Sequence, residues 1–344
     1  MHGAALSGKA AEGLQSASGI ASRTLASLET SWKNGYAPIA RGDVLVIDEA
    51  GMIGTRQLMR VAMKMREIGA KLVLVGDPDQ LQPIEAGTPF RRLVETQSAA
   101  HLREIHRQRE AWQRQASRDL AEGRLTDAFR AYDADGSVHR ASQRDAALSA
   151  LVEDYLADTE AHGTDKSRLA FAHRRRDVFA LNQAIRAALR MGSSASPETI
   201  FATETGPRAF APGDRIVFTR NDRELGVRNG MLGTVEAISD EHFLVRLDND
   251  SGPTRRVTVN PEQYNGFDHG YAVTIHKSQG ATVDRAWVLA SQRMDSSLTY
   301  VAMTRHREGL RVYVGEDDRP GWMAETEERP ARRQDGPRRS GPSM

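Results

Sequence analysis

The sequence predicts an α/β protein that has two domains with parallel sheets and a small all-β segment inserted in the second. Short runs that are apolar at every position are typical of parallel strands buried on both faces, and they alternate here with segments of helical periodicity. One stretch of about 50 residues instead shows the period of two that antiparallel strands have. The length of 344 residues is enough for about two to three domains.

Residues 1–98 are predicted to form the first domain. The runs Val44–Ile47 and Leu72–Val75 are apolar throughout, which predicts two buried parallel strands. Between them, apolar residues recur on one helical face: Leu58, Met59, Ala62, Met65 and Ile68. A strand, a helix and a second strand at this spacing form the right-handed crossover of a doubly wound sheet.

Residues 99–208 and 263–315 are predicted to form the second domain around a sheet of the same kind. Its compact apolar strands are Leu169–Ala172, Val273–Ile275, Trp287–Leu289 and Val312–Val314. Residues 316–344 are rich in Pro, Arg and Glu and poor in apolar side chains, so we expect a disordered tail there.

Residues 209–262 are predicted to form a small β-barrel inserted in the second domain. Phe243, Val245 and Leu247 alternate with their neighbours, which is the pattern of a half-buried strand. The Asn-Gly pair at 229–230 marks a tight turn between two such strands. A short antiparallel unit is therefore expected between the two parts of the second domain.

The charge and cysteine content exclude several kinds of site. The 47 Lys and Arg residues nearly cancel the 46 Asp and Glu residues, so any contact with nucleic acid must come from a local basic patch. The absence of cysteine excludes disulfides, thiolate metal sites, iron–sulfur clusters and cysteine nucleophiles. Because no apolar run is long enough for a membrane span and no signal peptide is evident, we expect a cytoplasmic protein.

Two adjacent acids, Asp48 and Glu49, directly follow the predicted strand Val44–Ile47. They therefore lie at the carboxyl end of a parallel strand, where open α/β sheets bind ligands. At a phosphate site, one carboxylate can hold Mg²⁺ and the other can orient and deprotonate a water molecule. The alternative is a solvated acidic pair that opens a loop. The apolar strand before the pair favours the functional interpretation.

The next predicted strand, Leu72–Val75, also ends in a polar cluster, at residues 76–83. Gly-Asp-Pro alone would be an ordinary turn. One crossover after the acidic pair, however, it predicts that both clusters line one crevice. Gln80 in this cluster has an amide that both donates and accepts, which suits a sensor of the γ-phosphate.

Five ordered motifs resemble those of superfamily 1 DNA helicases. Residues 48–50 and 76–81 resemble motifs II and III, and residues 102–107 (LREIHR) resemble motif IV. Residues 274–284 (TIHKSQGATVD) and 300–305 (YVAMTR) resemble motifs V and VI. The resemblance covers about residues 1–315 and is closest to the RecD-like helicase region of conjugative transfer relaxases of the TraA type.

The resemblance implies two RecA-like domains of the P-loop NTPase type that hold ATP and Mg²⁺ between them, while single-stranded DNA crosses both. It implies that Asp48 holds Mg²⁺, Glu49 activates the attacking water and Gln80 senses the γ-phosphate. It further implies that Arg107 and Arg305 stabilise the charge that develops on the phosphate. Other conjugation proteins are expected as partners, besides the DNA.

Arginine suits the motif IV and motif VI positions because its planar guanidinium stays charged and donates to two phosphate oxygens at once. Without the motifs, Arg107 and Arg305 would be interpreted as surface arginines, since the chain has 47 basic residues. Arg305 follows the apolar stretch Val301–Met303 and precedes another predicted strand, which favours the functional interpretation.

The resemblance also implies a set of DNA contacts. In the first domain, Ser7 and Lys9 lie in a stretch that resembles motif Ia, and Thr24 lies in the next stretch that resembles a DNA contact. In the second domain the implied DNA contacts are Thr274, His276, Lys277, Ser278 and Gln279. Gly280 ends this stretch and is assigned to the nucleotide site. A lone histidine in such a position is otherwise more often structural.

A superfamily 1 helicase needs a Gly-x-x-x-x-Gly-Lys-Ser/Thr phosphate loop, and residues 3–10 are a near match. We reject this match because Ala10 replaces the hydroxyl that would hold Mg²⁺ and because too few residues precede Gly3 to present the loop on a strand. The chain is therefore expected to begin after motif I, as a truncated reading frame, a cloned fragment or a natural paralogue that lost ATP hydrolysis. No DNA nicking is expected, because the histidine cluster and tyrosine of a full relaxase are missing.

Two functions remain open from the sequence. The leading hypothesis is the helicase portion of a conjugative relaxase, which translocates on single-stranded DNA in the 5′ to 3′ direction with ATP and is inactive alone. The alternative is a non-hydrolysing module that binds single-stranded DNA or docks on a partner. A third and weaker idea makes the inserted segment a protein-interaction site. Turnover of ATP separates the first two.

Overall fold

The computed structural model describes residues 1–81, 83, 87–102, 104–163, 165–191, 197–239, 241–248 and 255–323, without the side chain of Lys9. These residues form two parallel sheets flanked by helices and one antiparallel sheet with a separate hairpin, which confirms the predicted α/β class. Within these ranges, no helix is long and apolar enough to cross a membrane.

The first domain is built on a four-stranded parallel sheet in the order β2-β1-β3-β4. Its strands are β1 (His2–Ala5), β2 (Ser22–Thr24), β3 (Val44–Ile47) and β4 (Lys71–Leu74). Its helices are α1 (Gly8–Ser18), α2 (Leu25–Lys33), α3 (Thr55–Ile68) and α4 (Pro89–Thr96). The sequence β3, α3, β4 is the predicted crossover, and the buried face of α3 packs into the core of this sheet.

The two predicted strands of the first domain differ in burial. β3 lies between β1 and β4, and its residues Leu45, Val46 and Ile47 are buried. β4 lies at the edge of the sheet, where its apolar side chains are only half-buried and Val75 just beyond it is 43% exposed. The expectation that Leu72–Val75 is buried on both faces is therefore wrong, because this run forms an edge strand in the structure.

The second domain is built on a five-stranded parallel sheet in the order β14-β6-β15-β16-β5. Its strands are β5 (Val138–Ala141), β6 (Arg168–Ala172), β14 (Ala272–Thr274), β15 (Val283–Leu289) and β16 (His306–Gly315). Its helices are α5 (Ala111–Ala121), α6 (Leu125–Ala134), α7 (Arg144–His162), α8 (Arg175–Met191) and α9 (Ser296–Met303).

Strand β6 shows how this sheet is covered on both faces. Leu169 and Phe171 belong to the apolar core that also contains residues of α5, α6 and α9. Ala170 and Ala172 point to the opposite face, into a core shared with α7 and α8. All five residues of the strand are buried as a result, which is the pattern the apolar run predicted.

The inserted segment is an antiparallel sheet of five strands, in the order β12-β11-β10-β9-β13, next to the hairpin β7-β8. Its strands are β7 (Thr199–Thr203), β8 (Gly206–Phe210), β9 (Arg215–Phe218), β10 (Leu232–Ile238), β11 (Phe243–Leu247), β12 (Arg256–Val259) and β13 (Phe267–His269). Phe201 and Phe210 of the hairpin pack with Phe243 and Phe267 of the sheet. The β unit is therefore wider than residues 209–262, and its closure into a barrel stays a prediction.

The folded part of the second domain also extends past residue 315. Residues Glu316–Asp318 and Gly321–Met323 form two short 3-10 helices. Asp318 accepts hydrogen bonds of 2.6 Å from both terminal nitrogens of Arg174, and the Trp322 ring packs edge-on against Phe129. The expected disordered tail is therefore wrong for residues 316–323, while residues 324–344 lie outside the described ranges.

Candidate functional site

Glu49 has an unusual backbone at the carboxyl end of β3. Among the described residues it is the one non-glycine residue with a positive φ, at φ 53° and ψ 39°. A left-handed conformation costs a side-chain-bearing residue about 1–2 kcal/mol, and such strain concentrates at functional sites. The loop is held in this shape by Ala50, whose N–H donates to the carbonyl of Val75 at 2.9 Å.

Two glycines let the loops after β3 and β4 approach each other. A Cβ on Gly51 would lie 2.6 Å from the carbonyl oxygen of Asp77, and one on Gly76 would lie 2.9 Å from the backbone nitrogen of Ala50. Both positions therefore require glycine for the present packing. The structure brings the two polar clusters into one crevice at the carboxyl ends of β3 and β4, as the sequence predicted.

The two acids after β3 both have raised pKa values. Burial raises the pKa of Glu49, the carboxylates of Asp48 and Asp77 raise it further, and Arg305 and Arg107 oppose the rise. Burial also raises the pKa of Asp48, against the N–H of Glu49, which donates to Asp48 Oδ1 at 2.9 Å. A carboxylate with a raised pKa accepts a proton more readily at neutral pH, which is what a general base requires.

Arg305 is a buried cation at the boundary of the two parallel-sheet domains, with 2% of its surface exposed. Its Nε donates to the carbonyl of Val301 and its Nη2 to the hydroxyl of Thr304, both at 3.0 Å. Burial and the charge of Arg107 lower its pKa to about 10, and Glu49 opposes this shift. Arg305 therefore stays charged at neutral pH in a largely desolvated position.

Arg107 is the second cation of this cluster. Its Nη1 donates to the carbonyl of Thr304 at 2.7 Å, which places it beside Arg305. Both arginines lower the pKa of Glu49 through their charges, so both lie close to the strained acid of the first domain. Gln80 joins the cluster through Asp77, whose Oδ2 accepts from Gln80 Nε2 at 3.2 Å. The five residues predicted as catalytic are thus brought together.

Asp48 suits a Mg²⁺ that is shared with a nucleotide. Within the described residues, no group of three or more His, Cys, Asp or Glu side chains could hold a metal ion. Mg²⁺ at nucleotide sites is held by one or two carboxylates together with phosphate oxygens. Asp48 is half-buried, and among the described residues its carboxylate accepts a hydrogen bond through Oδ1 from the N–H of Glu49. Its oxygens therefore suit an ion that is shared with a nucleotide.

The predicted DNA-binding residues of the first domain lie at helix starts. Ser7 caps α1 by accepting from the N–H of Ala10 at 3.1 Å, and Thr24 caps α2 by accepting from the N–H of Ser27 at 3.2 Å. The side chain of Lys9 lies outside the described part of the structure. Gly3 lies within β1, where a Cβ would meet the Ser22 hydroxyl at 2.0 Å. Residues 3–5 therefore form a strand and not a phosphate loop.

The predicted DNA-binding residues of the second domain follow β14. Thr274 caps the 3-10 helix Ile275–Ser278 by accepting from the N–H of Lys277 at 3.3 Å, and His276 and Lys277 are exposed. Ser278 is fully buried and its hydroxyl donates to the carbonyl of Ile275 at 2.7 Å, so it supports this turn from inside.

The last two residues of this stretch differ in their surroundings. Gln279 is half-buried, and its Nε2 has no hydrogen-bond partner among the described residues. Gly280, assigned to the nucleotide site, is exposed and has a positive φ of 69°. Gln279 thus has a donor available beside the exposed His276 and Lys277.

A basic cluster after β6 was missed by the sequence analysis. The rings of His173 and His276 lie 5.9 Å apart, and Arg175 begins α8. Burial and the charge of Arg175 lower the pKa of Lys277, which shows that the two cations are neighbours. The available signal was the run of one histidine and three arginines at 173–176, directly after the apolar strand.

The inserted unit reaches the first domain at the start of α1. Arg228 donates a hydrogen bond to the carbonyl of Gly8, and its aliphatic carbons fill the space where a Gly8 side chain would be. Arg255 lies 3.9 Å from Glu12 on the same helix. Gly230 lies close to the carbonyl of Lys277, so this loop lies between two of the predicted DNA-binding stretches.

Comparison with known proteins gives one family model and several long relatives. Residues 1–143 match a model described as an AAA domain. A probable conjugal transfer protein TraA from Sinorhizobium fredii is 47% identical over 313 residues, covering 91% of this chain and 28% of that protein. The RecBCD enzyme subunit RecD from Mycobacterium tuberculosis is 30% identical over 317 residues, covering 80% of this chain and 50% of its own length. The chain thus spans 28% of the length of the TraA relative.

The fold has solved counterparts. The crystal structure of a Pif1 helicase from Bacteroides in complex with ADP-AlF3 and single-stranded DNA has a TM-score of 0.57 and 20% identity, covering 95% of this chain and 86% of that chain. A crystal structure of Bacteroides Pif1 bound to single-stranded DNA has a TM-score of 0.53 and 17% identity. At these identities the likeness shows the fold, with its RecA-like parallel-sheet domains.

Proposed function

The chain belongs to the RecD-like superfamily 1 helicase regions of conjugal transfer proteins of the TraA type, and from that premise we propose that it couples ATP hydrolysis to movement along single-stranded DNA. The observation that carries the proposal is the cluster at the domain boundary. There, a strained acid of the first domain, Glu49, lies near two arginines of the second, Arg107 and Arg305. A reaction on a phosphate held between the domains needs both kinds of group.

Each residue of the cluster has a separate role in this proposal. Glu49 accepts a proton from the attacking water and orients it, and Asp48 holds Mg²⁺, which neutralises phosphate charge when bound. Gln80 senses the γ-phosphate, and Arg107 and Arg305 stabilise the charge that develops on it. Guanidinium groups in such positions accelerate related phosphoryl transfers by about 10³–10⁵-fold.

The DNA path we propose runs over the carboxyl ends of both sheets. In the first domain it passes the starts of α1 and α2, because the amino end of a helix attracts phosphates. In the second domain it passes His173, Arg175, His276 and Lys277, with Gln279 as a further donor. The direction of movement, 5′ to 3′, follows the family resemblance. The setting we propose is the cytoplasm, together with other conjugation proteins.

We propose further that these 344 residues do not hydrolyse ATP by themselves. The sequence contains no Gly-x-x-x-x-Gly-Lys-Ser/Thr loop, and its near match at residues 3–10 has Ala10 in place of the hydroxyl and begins inside strand β1. Backbone N–H groups of that loop cradle the phosphates in P-loop enzymes, so turnover requires a longer TraA-type protein that contains it.

The same observation favours a second candidate function, a module that binds single-stranded DNA or docks on a partner without turnover. Both candidates bind DNA in a salt-dependent way, because both use phosphate contacts. They differ in one property, which is hydrolysis by the longer protein that contains this segment.

The test is phosphate release from ATP, with and without single-stranded DNA. It is measured for this chain and for a longer TraA-type protein, each beside its Glu49→Gln variant and a Glu67→Gln control on the exposed surface of α3. We expect DNA-stimulated release by the longer protein, at least about 100-fold slower in Glu49→Gln and unchanged in the control.

Three results would each overturn one of these proposals. Full activity of the Glu49→Gln longer protein would remove Glu49 from its role. DNA-stimulated release by the 344-residue chain, lost in its Glu49→Gln variant, would refute the claim that it is inactive alone. Absence of hydrolysis in the longer protein, with DNA binding intact, would establish the non-hydrolysing module.

A further inference from the structure

We propose that Tyr300 is a positioning residue, which links the sensor loop of the first domain to the end of helix α9 in the second, where Arg305 follows the helix. This inference rests on the proposed function and deepens it. It concerns the hydrogen bond between Tyr300 on α9 and Asp77 in the loop after β4, which connects the two parallel-sheet domains directly.

Asp77 is the first half of this link. Its Oδ2 accepts a hydrogen bond of 2.6 Å from the Tyr300 hydroxyl and another of 3.2 Å from Gln80 Nε2. Its Oδ1 accepts from the N–H of Asp79 at 2.9 Å, which fixes the carboxylate within its own loop. One oxygen is therefore shared between the proposed phosphate sensor and a side chain of the opposite domain.

Helix α9 is the second half of the link. The hydroxyl of Thr304 donates to the carbonyl of Tyr300 at 2.7 Å, and Arg305 Nη2 donates to the same hydroxyl at 3.0 Å. Arg305 Nε is also held by the carbonyl of Val301. Tyr300 and the Arg305 guanidinium are thus fixed to one another by the last turn of the helix, and they move as one unit.

The chemistry of the Tyr300 hydroxyl suits a permanent donor. The side chain is half-buried in the cleft between the domains, and burial together with Asp77 raises its pKa well above the ordinary tyrosine value. The hydroxyl therefore keeps its proton across the physiological range. Hydrogen bonds from a hydroxyl to an ionised carboxylate are short and about twice as strong as neutral ones.

This arrangement gives Tyr300 a defined task. When the Gln80 amide turns toward a phosphate oxygen, Asp77 Oδ2 loses one donor and retains the donor from the second domain. The contact across the cleft then strengthens in the same step, because a single hydrogen bond remains on that oxygen. Tyr300 therefore holds Arg305 opposite Glu49 when the sensor is engaged, through its hydrogen bond to Asp77.

The experiment measures the distance between the two domains. The chain has no cysteine, so single spin labels can be attached to cysteines introduced at Met63 on α3 and Glu153 on α7, both exposed. Double electron–electron resonance on the labelled chain gives the distance distribution. We expect one narrow distribution for the parent, and a broader one with a longer-distance component for Tyr300→Phe.

A double-variant cycle and a control separate this link from a general loss of stability. Asp77→Ala should broaden the distribution as Tyr300→Phe does, and the double variant should add nothing, because each removes the same bond. Tyr264→Phe is the control, since its hydroxyl donates to the carbonyls of Arg220 and Gly266 within the inserted unit. It should leave the distance unchanged.

Unaltered distances in Tyr300→Phe, or additive effects in the double variant, would overturn the inference. Because the distance is measured without turnover, this failure is distinct from a failure of the proposed function, which shows as an absence of ATP hydrolysis. In the longer protein, Tyr300→Phe should lower kcat about tenfold, the cost of one hydrogen bond to a charged group. The affinity for single-stranded DNA should stay within about twofold of the parent value.

Discussion

The carboxyl ends of the two parallel sheets carry opposite charges. The end of the first sheet presents four carboxylates: Asp48, Glu49, Asp77 and Asp79. The end of the second presents cations and histidines: His173, Arg174, Arg175, His276 and Lys277. Arg305 lies elsewhere in the second domain, directly before β16. The net charge of +1 conceals this division, because it sums 47 basic and 46 acidic residues over the whole chain. Local placement of charge therefore says more about function here than the total.

The acidic loops of the first domain and the buried Arg305 of the second are also stabilised differently. In the first domain the acidic loops are fixed by backbone packing, with Gly51 and Gly76 allowing contact between main chains. In the second domain Arg305 is held by hydrogen bonds from its own side chain to Val301 and Thr304. The acidic loops are thus fixed by main-chain packing, whereas Arg305 is fixed by hydrogen bonds of its own side chain. We expect substitutions at these two places to have different consequences.

The largest effect is expected at the buried cation. Arg305→Lys keeps a positive charge but loses the planar donor pair, so kcat of the longer TraA-type protein should fall about 10³-fold. Hydrolysis is measured with saturating single-stranded DNA, beside an Arg293→Lys control at an exposed position. A loss of less than about threefold would mean that charge alone is required there.

The pH dependence of hydrolysis tests whether Glu49, in the acidic loops of the first domain, is the general base. The folded protein raises the pKa of Glu49, so the base is lost as pH falls through this raised value, above the ordinary 4.5. Below it, kcat/KM should drop about tenfold per pH unit. An acid limb at or below the ordinary value would contradict the assignment of Glu49 as the base.

The same shift makes a prediction for stability. A raised pKa favours the protonated form in the folded state, so stability is full at low pH and is lost as pH rises through the raised value. Glu49→Gln should therefore raise the Tm of this chain at pH 7 and change it little at pH 4. Thermal unfolding at both values is the measurement, with Glu67→Gln as the control that shows no such difference.

Rigid backbone packing at the first end predicts a cost for added side chains. Gly51→Ala places a Cβ against the carbonyl of Asp77 and should destabilise the fold by about 1–3 kcal/mol. Gly13→Ala, inside α1 with nothing within 4 Å, should stabilise it by about 0.5–1 kcal/mol. Equal effects of the two variants in urea unfolding would contradict the packing argument.

The smallest effect is expected on the salt dependence of DNA binding, at the basic carboxyl end of the second sheet. Lys277→Ala removes one proposed phosphate contact, so the slope of log K against log salt for single-stranded DNA should become shallower by about 0.7. Arg66→Ala, at an exposed position of the first domain, should leave the slope unchanged. An unchanged slope in Lys277→Ala would place the DNA elsewhere.

Much of the site was predictable because its signals are local. The run Val44–Ile47 is apolar at every position, and the acids that follow it had to lie at the carboxyl end of that strand. The contact between Tyr300 and Asp77 joins residues 223 positions apart, and no local pattern reports such a distance. Its discovery required the packed structure.

The errors in the predicted fold also arise where long-range packing decides the structure. Leu72–Val75 has the composition of an inner strand, but its neighbours in the sheet decide its burial, and β4 has a partner on one side within the described residues. Averaging composition over 316–344 hid Asp318 and Trp322, which pack against the second domain. The hairpin β7-β8 was missed because its residues lay outside the stretch with a clear period of two.

The central claim is that Glu49, at the acidic end of the first sheet, and Arg305 of the second domain act on one phosphate between the domains. The most direct test is kcat for ATP hydrolysis by the longer TraA-type protein carrying Glu49→Gln, Arg305→Lys or both. Residues that act as one unit should give a double variant within about threefold of the slower single variant. Losses that multiply would show independent actions and would contradict a single site shared by Glu49 and Arg305.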